Sequence, residues 1–301
     1  MRRKLPLGSW HIDETARGYV RCLRIDRPIY ASNTAYQKIE IFRNEIFGKV
    51  LLLDDDIQLS EIDEWVYHEA LVHPALLTHP EPEKVAVIGG GDGGALREVL
   101  KHQCVVEAYL VDIDREVVEA CRRHLPEVHR NSFDDPRVRT FYIDGEKFLE
   151  EPPSELQVVV LDLTEPSKGL STALYSTHFF KLLERSLGED GVAVFQTGSA
   201  LFFQKQEYSF PLFCRSISSI FPIVRPYLVG IPSFGSVWSF LIASKCHDPL
   251  EVPKAIIASR MGERGVTTRY YAPSLHKALF ALPKFLAELS ETGSEGTLHP
   301  E

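Results

Sequence analysis

The chain has 301 residues, 44% hydrophobic and 25% charged, which is a globular composition and excludes disordered, collagenous and low-complexity classes. A formal net charge of −9 disfavours nucleic acid as a partner and suits a cationic one. No apolar run approaches the ~20 residues of a bilayer span, the basic start Met1-Arg-Arg-Lys4 leads into no apolar signal core, and five scattered cysteines without a C-x-x-C pair fit a reducing cytoplasm better than a disulfide framework or zinc knuckle.

Residues 1–70 read as a small β domain. Residues 19–25 and 37–42 alternate apolar and polar, and 49–53 form a short buried-strand run, with turn signals at Gly48 and Asp54-Asp-Asp56. From Glu61 to Thr78 the spacing of Trp65, Ala70, Leu71, Ala75 and Leu76 predicts a helix, stopped by His79-Pro80.

Residues 71–301 then alternate strand and helix. The runs 85–88, 108–111, 138–143 and 157–161 are nearly continuous apolar strands, with helices between them. Further strands fall at 192–195, 223–228 and 237–243, and helices at 253–261 and 274–289. Apolar strands separated by helices imply a mostly parallel sheet covered on both faces. The expected fold is α/β: a doubly wound, Rossmann-like sheet of methyltransferase type, preceded by the small β domain.

Gly89, Gly91 and Gly94 satisfy G-x-G-x-x-G between a strand and a helix, where backbone can approach a ligand closely. Asp112 ends the next strand, where a carboxylate can take both hydroxyls of a ribose. NAD enzymes and users of sulfonium cofactors share that much, and a plain tight turn would also fit. Asp92 narrows the choice, because a carboxylate inside the loop repels pyrophosphate and welcomes an ammonium or sulfonium. It could also serve simply as a helix cap. Asp92, Asp112, Asp144 and Asp162 each close one of four successive strands, and Glu165 follows three residues later. Ligands of open α/β sheets bind outside these strand ends. So many carboxylates around one crevice need cations to fill it. No His/Cys spacing suggests a metal, so the expected ligands are a polyamine-sized cation beside an adenosine-bearing one.

At this point the chain resembles the aminopropyltransferases, the spermidine/spermine/thermospermine synthase family, over residues 35–290. The motifs are Tyr36-Gln37-Lys-Ile, Phe47-Gly-Lys-Val-Leu-Leu-Leu-Asp54, Ile57-Gln58, Asp63-Glu-Trp-Val-Tyr67-His68-Glu69, Gly89-Gly-Gly-Asp92-Gly-Gly94, Asp112-Ile-Asp114, Asp144-Gly145, Asp162-Leu-Thr, Gln196 and Tyr270-Tyr271 with His276. The resemblance implies decarboxylated S-adenosylmethionine as donor, with no metal and no further cofactor. It places Gln37 and Asp92 at the donor's aminopropyl end, Asp112 on the ribose, and Asp144 on the adenine amino group with Gly145 beside it. Asp162 is implied as the acid that activates the acceptor amine, Tyr67 as its hydrogen-bonding partner, and Gln58 as part of the groove wall. It also implies a homodimer or higher homo-oligomer.

The need for a base follows from acidity. A primary amine titrates near 10.4, so freeing its lone pair at pH 7 costs about 4–5 kcal/mol. Asp162 must therefore take the proton along the reaction path.

Two segments depart from the family pattern. Glu165 stands where a second Asp is usual, with Lys168 close behind it. Ile231-Pro-Ser-Phe234-Gly-Ser-Val-Trp238 resembles the thermospermine and spermine synthases more than the putrescine-using ones. Spermidine is thus the expected acceptor, with putrescine, agmatine or another diamine as the alternative, although Phe234 and Trp238 could equally be packing residues. An S-adenosylmethionine methyltransferase would set the cofactor's carboxylate against Asp92, and a non-catalytic polyamine sensor would not need Tyr67 and Asp162. His68, His73 and His79 lack a metal-protease spacing and are expected on the surface or in helix packing.

Overall fold

The computed structural model describes residues 8–16, 19–164, 176–200 and 210–292. The alternating N-terminal segments form antiparallel sheets. Strands β1 (Ser9–Ala16) and β2 (Tyr19–Ile25) pair as a hairpin, and β3 (Arg27–Asn33), β4 (Lys38–Asn44), β5 (Gly48–Leu53) and β6 (Asp56–Ser60) form a four-stranded meander. The tight β5–β6 connection pairs Leu53 with Asp56, and Asp54 and Asp55 take φ of 48° and 68° between them. Asp tolerates that left-handed region well, and two such residues match the twist of a hairpin.

Helix α1 (Glu64–Thr78) follows. It starts later than its spacing suggests, because Ser60 and Asp63 close a turn first, with the Ser60 hydroxyl donating to Asp63 Oδ1 at 2.7 Å. Strands β7 (Lys84–Gly89), β8 (Glu107–Val111), β9 (Val138–Phe141), β10 (Leu156–Asp162), β11 (Leu187–Ser199), β12 (Ile223–Ile231) and β13 (Ser236–Ser244) make a seven-stranded sheet in the order β12-β13-β11-β10-β7-β8-β9. Neighbours from β11 through β9 are parallel, and β13 runs antiparallel to both β11 and β12. The helices are α2 (Gly94–Leu100), α3 (Arg115–His124), α4 (Pro126–His129), α5 (Gly145–Glu150), α6 (Thr177–Ser186), α7 (Phe210–Ser218), α8 (Lys254–Glu263), α9 (His276–Leu279) and α10 (Lys284–Thr292). The doubly wound sheet with its small N-terminal β unit is thus the expected fold. The single helix expected over 274–289 is two, α9 and α10, because Pro283 lacks an amide proton and disfavours helix in the residue before it. No helix among the described residues is long and apolar enough to cross a membrane.

Alternation on the pleat explains the continuous apolar strands. Val85, Val87, Val158, Val160, Val192 and Val194 face one buried layer with α1 and α2. Ala86, Ile88, Val159, Leu161, Ala193 and Phe195 face another with α6 and α7. The meander is covered on both sides as well. Ile39, Ile41, Leu51 and Leu59 pack on Val117, Ala120 and Cys121 of α3, whereas Phe42, Val50 and Leu52 join the layer around α1.

Helix α1 is buried nearly all round and carries Pro74 inside it. Proline removes the N–H that would donate to the carbonyl four residues earlier. That carbonyl, Ala70 O, accepts instead from the buried Tyr227 hydroxyl at 2.8 Å. Tyr227→Phe is therefore expected to lower the unfolding free energy by about 1–3 kcal/mol. Pro74→Ala should stabilise that variant more than it stabilises the wild type, because it restores the missing donor; urea denaturation of the four proteins checks both statements.

Candidate active site

The strand order of the large sheet reverses between β7 and β10, and at that switch point Gly89 and Asp162 are paired residues. Gly89 takes φ of +80°, and a Cβ there would lie 2.2 Å from the Asp162 carbonyl oxygen, so only glycine fits. Other glycines of the loop make room for side chains. A Cβ on Gly91 would lie 2.6 Å from Asp112 Oδ2, and one on Gly94 2.2 Å from the His68 ring. The loop is shaped as much by the groups behind it as by any ligand in front.

A cavity of about 210 Å³ opens there, bordered by Gln37, Gln58, Tyr67, Asp92, Asp112, Asp144, Asp162, Phe234 and Trp238 and by Gly89, Gly91 and Gly145. Glu165 and Lys168 lie outside the described residues. Asp162 Oδ1 accepts from the Tyr67 hydroxyl at 2.6 Å, while its buried Oδ2 has no hydrogen-bond partner among the described residues. Burial, with Asp92 adding to it, pushes the Asp162 carboxyl up to about 6. Asp112 accepts from the Asp114 amide at 2.8 Å, and burial, with Asp114, Asp92 and Asp162 adding to it, pushes it up to about 7.

Asp92 Oδ1 accepts from the Gly94 amide at 2.7 Å and stands 3.3 Å from His68 Nε2. Burial acts to raise Asp92, but the adjacent His68 outweighs it and holds the carboxyl below its ordinary value. Asp92 is therefore both a cap-like acceptor at the start of α2 and a carboxylate facing the cavity. Asp144 caps α5, accepting from the Glu146 amide at 2.8 Å, with Gly145 next to it in the first turn. Gln37 reaches across from the β unit to donate to Asp114 Oδ2 at 3.2 Å, beside Thr34, which donates to the same oxygen at 2.7 Å. Gln58 donates to the Asp56 carbonyl at 3.3 Å.

The opposite wall is aromatic. The Tyr67 and Phe234 ring centroids lie 5.7 Å apart and those of Phe234 and Trp238 4.6 Å. Trp238 Nε1 donates to Gln196 Oε1 at 3.1 Å. Phe234 and Trp238 pack on the core and border the cavity at once.

Sequence reasoning missed the contribution of the first hairpin. Asp13 and Arg21 pair with each other and border the cavity, and Arg21 Nη1 donates to the Ser233 carbonyl at 2.9 Å. The polar, weakly patterned β1 gave no signal for it. The three histidines are buried but do not converge. His73 lies 2.9 Å from Glu98 and 3.1 Å from His102, His79 faces Asp190 at 3.2 Å, and His68 faces the site.

Among the described residues, two groups gather donors at metal-like spacing: His68, Asp92 and Asp162, and His79, Asp190 and His247. In the first, burial acts to lower His68, but Asp92 and Glu64 push it up to about 10, which favours a protonated ring. In the second, His79 Nδ1 accepts from the Glu81 amide at 3.0 Å, which leaves the proton on Nε2, facing Asp190.

A family model described as the spermine/spermidine synthase domain matches residues 64–252, and one described as the spermidine synthase tetramerisation domain matches residues 9–61. The polyamine aminopropyltransferase of Caldicellulosiruptor saccharolyticus is 44% identical over 269 residues, covering 89% of this chain and 93% of that protein. The polyamine aminopropyltransferase of Pyrobaculum calidifontis is 40% identical over 285 residues, covering 93% and 98%. Among solved structures, a spermidine synthase in complex with the transition state analogue AdoDATO aligns with a TM-score of 0.88 at 34% identity, covering 97% of this chain and 98% of that one.

The raised carboxyls give a testable pH dependence. A carboxyl whose folded value lies above its unfolded value near 3.9 contributes stability below pH ~4 that is lost as pH rises through the folded value. For Asp112 that window ends near 7. Asp112→Asn should therefore match the wild type in thermal midpoint near pH 4 and exceed it by several degrees at pH 8, measured by scanning fluorimetry on ligand-free protein.

Proposed function

The chain belongs to the spermine/spermidine synthase family and is a polyamine aminopropyltransferase, and we propose that its acceptor is spermidine, giving thermospermine or spermine and methylthioadenosine. The observation that carries the chemistry is the Asp162 carboxylate at the switch point: one oxygen is held by Tyr67, and the other is buried beside the glycine loop, without a hydrogen-bond partner among the described residues.

In this reading decarboxylated S-adenosylmethionine lies over Gly89 and Gly91. Asp112 takes the ribose hydroxyls, Asp144 with Gly145 takes the adenine edge, and Asp92 with Gln37 receives the aminopropyl end. Asp92 is already ionised in the empty crevice and favours an ammonium. It would repel the carboxylate of S-adenosylmethionine, which argues against a methyltransferase.

The acceptor's reacting ammonium meets Asp162 Oδ2, which takes one proton, while Tyr67 fixes the carboxylate and orients the nitrogen. The freed lone pair attacks the methylene carbon next to the sulfonium. As the C–N bond forms the C–S bond breaks, its electrons stay on sulfur, and methylthioadenosine leaves neutral. Alignment of the two substrates supplies much of the acceleration, and proton transfer to a placed carboxylate a further 10²–10⁴-fold, roughly.

The Tyr67–Phe234–Trp238 wall suits the methylenes of the acceptor. Gln58 is assigned to the same groove, and carboxylates such as Asp56 at its border suit a chain with more than one ammonium. A diamine acceptor such as putrescine is the second reading, and it is supported by the likeness to a solved spermidine synthase. We assign the working form to a homo-oligomer, dimer or larger, in keeping with the match over residues 9–61. We assign its compartment to the cytoplasm, where its five free thiols stay reduced.

The test is incubation with decarboxylated S-adenosylmethionine and, separately, putrescine, agmatine, cadaverine or spermidine, with product masses and methylthioadenosine read together. Release with spermidine is expected. Release with a diamine alone would overturn the acceptor while keeping the chemistry. Asp162→Asn should lower kcat by about 10²–10⁴-fold while the variant still binds donor and amine by calorimetry.

A further inference from the structure

Behind the Asp92 carboxylate lies an imidazole that the reaction above does not use. His68 sits one turn along α1 from Glu64 and is 1% exposed. Its Nδ1 lies 2.7 Å from Glu64 Oε2 and its Nε2 3.3 Å from Asp92 Oδ1. The space for the ring exists because residue 94 is glycine. Glu64 is itself immobilised, since Arg97 donates to both its oxygens at 3.0 and 2.9 Å, and Arg97 Nε is tied to Glu98 at 2.7 Å. Every member of this line behind Asp92 is buried, so the ring has no freedom to turn away.

We propose that His68 is a positioning residue that, clamped between Glu64 and Asp92, supplies the fixed positive charge that holds Asp92 as a carboxylate facing the donor's primary amine. This rests on the reading in which Asp92 receives that amine. The charged and titratable groups around the pair are Glu64 and Tyr67 from α1, Arg97 from α2, Asp112 after β8, His129 from α4 and Asp162 from β10. Three carboxylates share the crevice, and they do not share its protons equally. Asp112 and Asp162 are pushed up to about 7 and about 6, whereas Asp92 goes down. Contact with the imidazole is the main cause of the difference, with the Gly94 amide and the more distant Arg97 acting in the same direction. The donor's ammonium thus finds a carboxylate waiting, while Asp162 is left near the point at which it can exchange a proton.

A merely structural histidine would affect stability but not the titration of Asp92. His68→Gln keeps a donor directed at Asp92 and removes the charge. The Asp92 carboxyl, followed by carbon-detected NMR, should titrate about 1–2 pH units higher in the variant. A folded variant in which Asp92 titrates as it does in the wild type overturns the proposal while leaving the aminopropyl transfer intact.

Nitrogen-detected NMR of the wild type gives a second decision that needs neither activity nor the variant. The His68 ring should be an imidazolium at pH 8, and a neutral ring there overturns the proposal even if His68→Gln does not fold. Wild type that transfers to no amine would instead overturn the reading of the site, a distinct outcome.

Discussion

Like charges gathered at one end of a sheet are the constraint on which the rest of this structure depends. Parallel strands on either side of the switch point deliver Asp92, Asp112 and Asp162 to one crevice, where burial and mutual repulsion act together against ionisation. The backbone is cut to fit them. Gly91 leaves space for the Asp112 carboxylate and Gly89 for the Asp162 backbone. A crevice so built is poorly satisfied when empty, and its natural complement is a sulfonium with an ammonium at one end and a second ammonium opposite. The discomfort of the free enzyme and its preference for cationic substrates are one electrostatic fact seen from two sides.

Helix α1 is where that fact meets the packing. Three consecutive residues project about 100° apart around a helix, and here each of the three has separate work. Tyr67 holds Asp162, His68 faces Asp92, and Glu69 accepts the backbone amides of Arg269, Tyr270 and Tyr271. A helix that does this must be enclosed on all sides, so it cannot be amphipathic. It tolerates Pro74 because Tyr227 from β12 replaces the lost donor. The C-terminal Tyr270-Tyr271 segment is thereby tied to the same helix that carries Tyr67 and His68.

Much of this was legible in the sequence because it depends on local pattern. Continuous apolar strands, each ending in an acid, mark a buried sheet with its ligand edge, and the structure puts Asp92, Asp112, Asp144 and Asp162 along that edge. What was not legible depends on long-range pairing. His68 reads as a packing residue because its charge arises from Glu64 on its own helix and Asp92 on a distant loop; the i, i+4 spacing of Glu64 and His68 and the sixth position of the glycine loop were the available signals. The short strands β3 and β6 were hidden by Pro28 and by the run of aspartates, and β1 by its polar residues.

The small β unit is part of the site rather than an attachment to it. Thr34 and Gln37 both donate to Asp114, two residues past Asp112, so one half of the cavity is braced from this side. On the other half, Arg21 donates to the Ser233 carbonyl, and Asp63 Oδ2 accepts from the Ser233 amide at 2.7 Å. That turn carries Phe234 into the aromatic wall. Each half of the cavity is therefore braced from the β unit and takes its carboxylates from the α/β sheet. A displacement of the β unit would disturb both halves of the cavity together, because Ile39, Ile41 and Leu51 pack on α3.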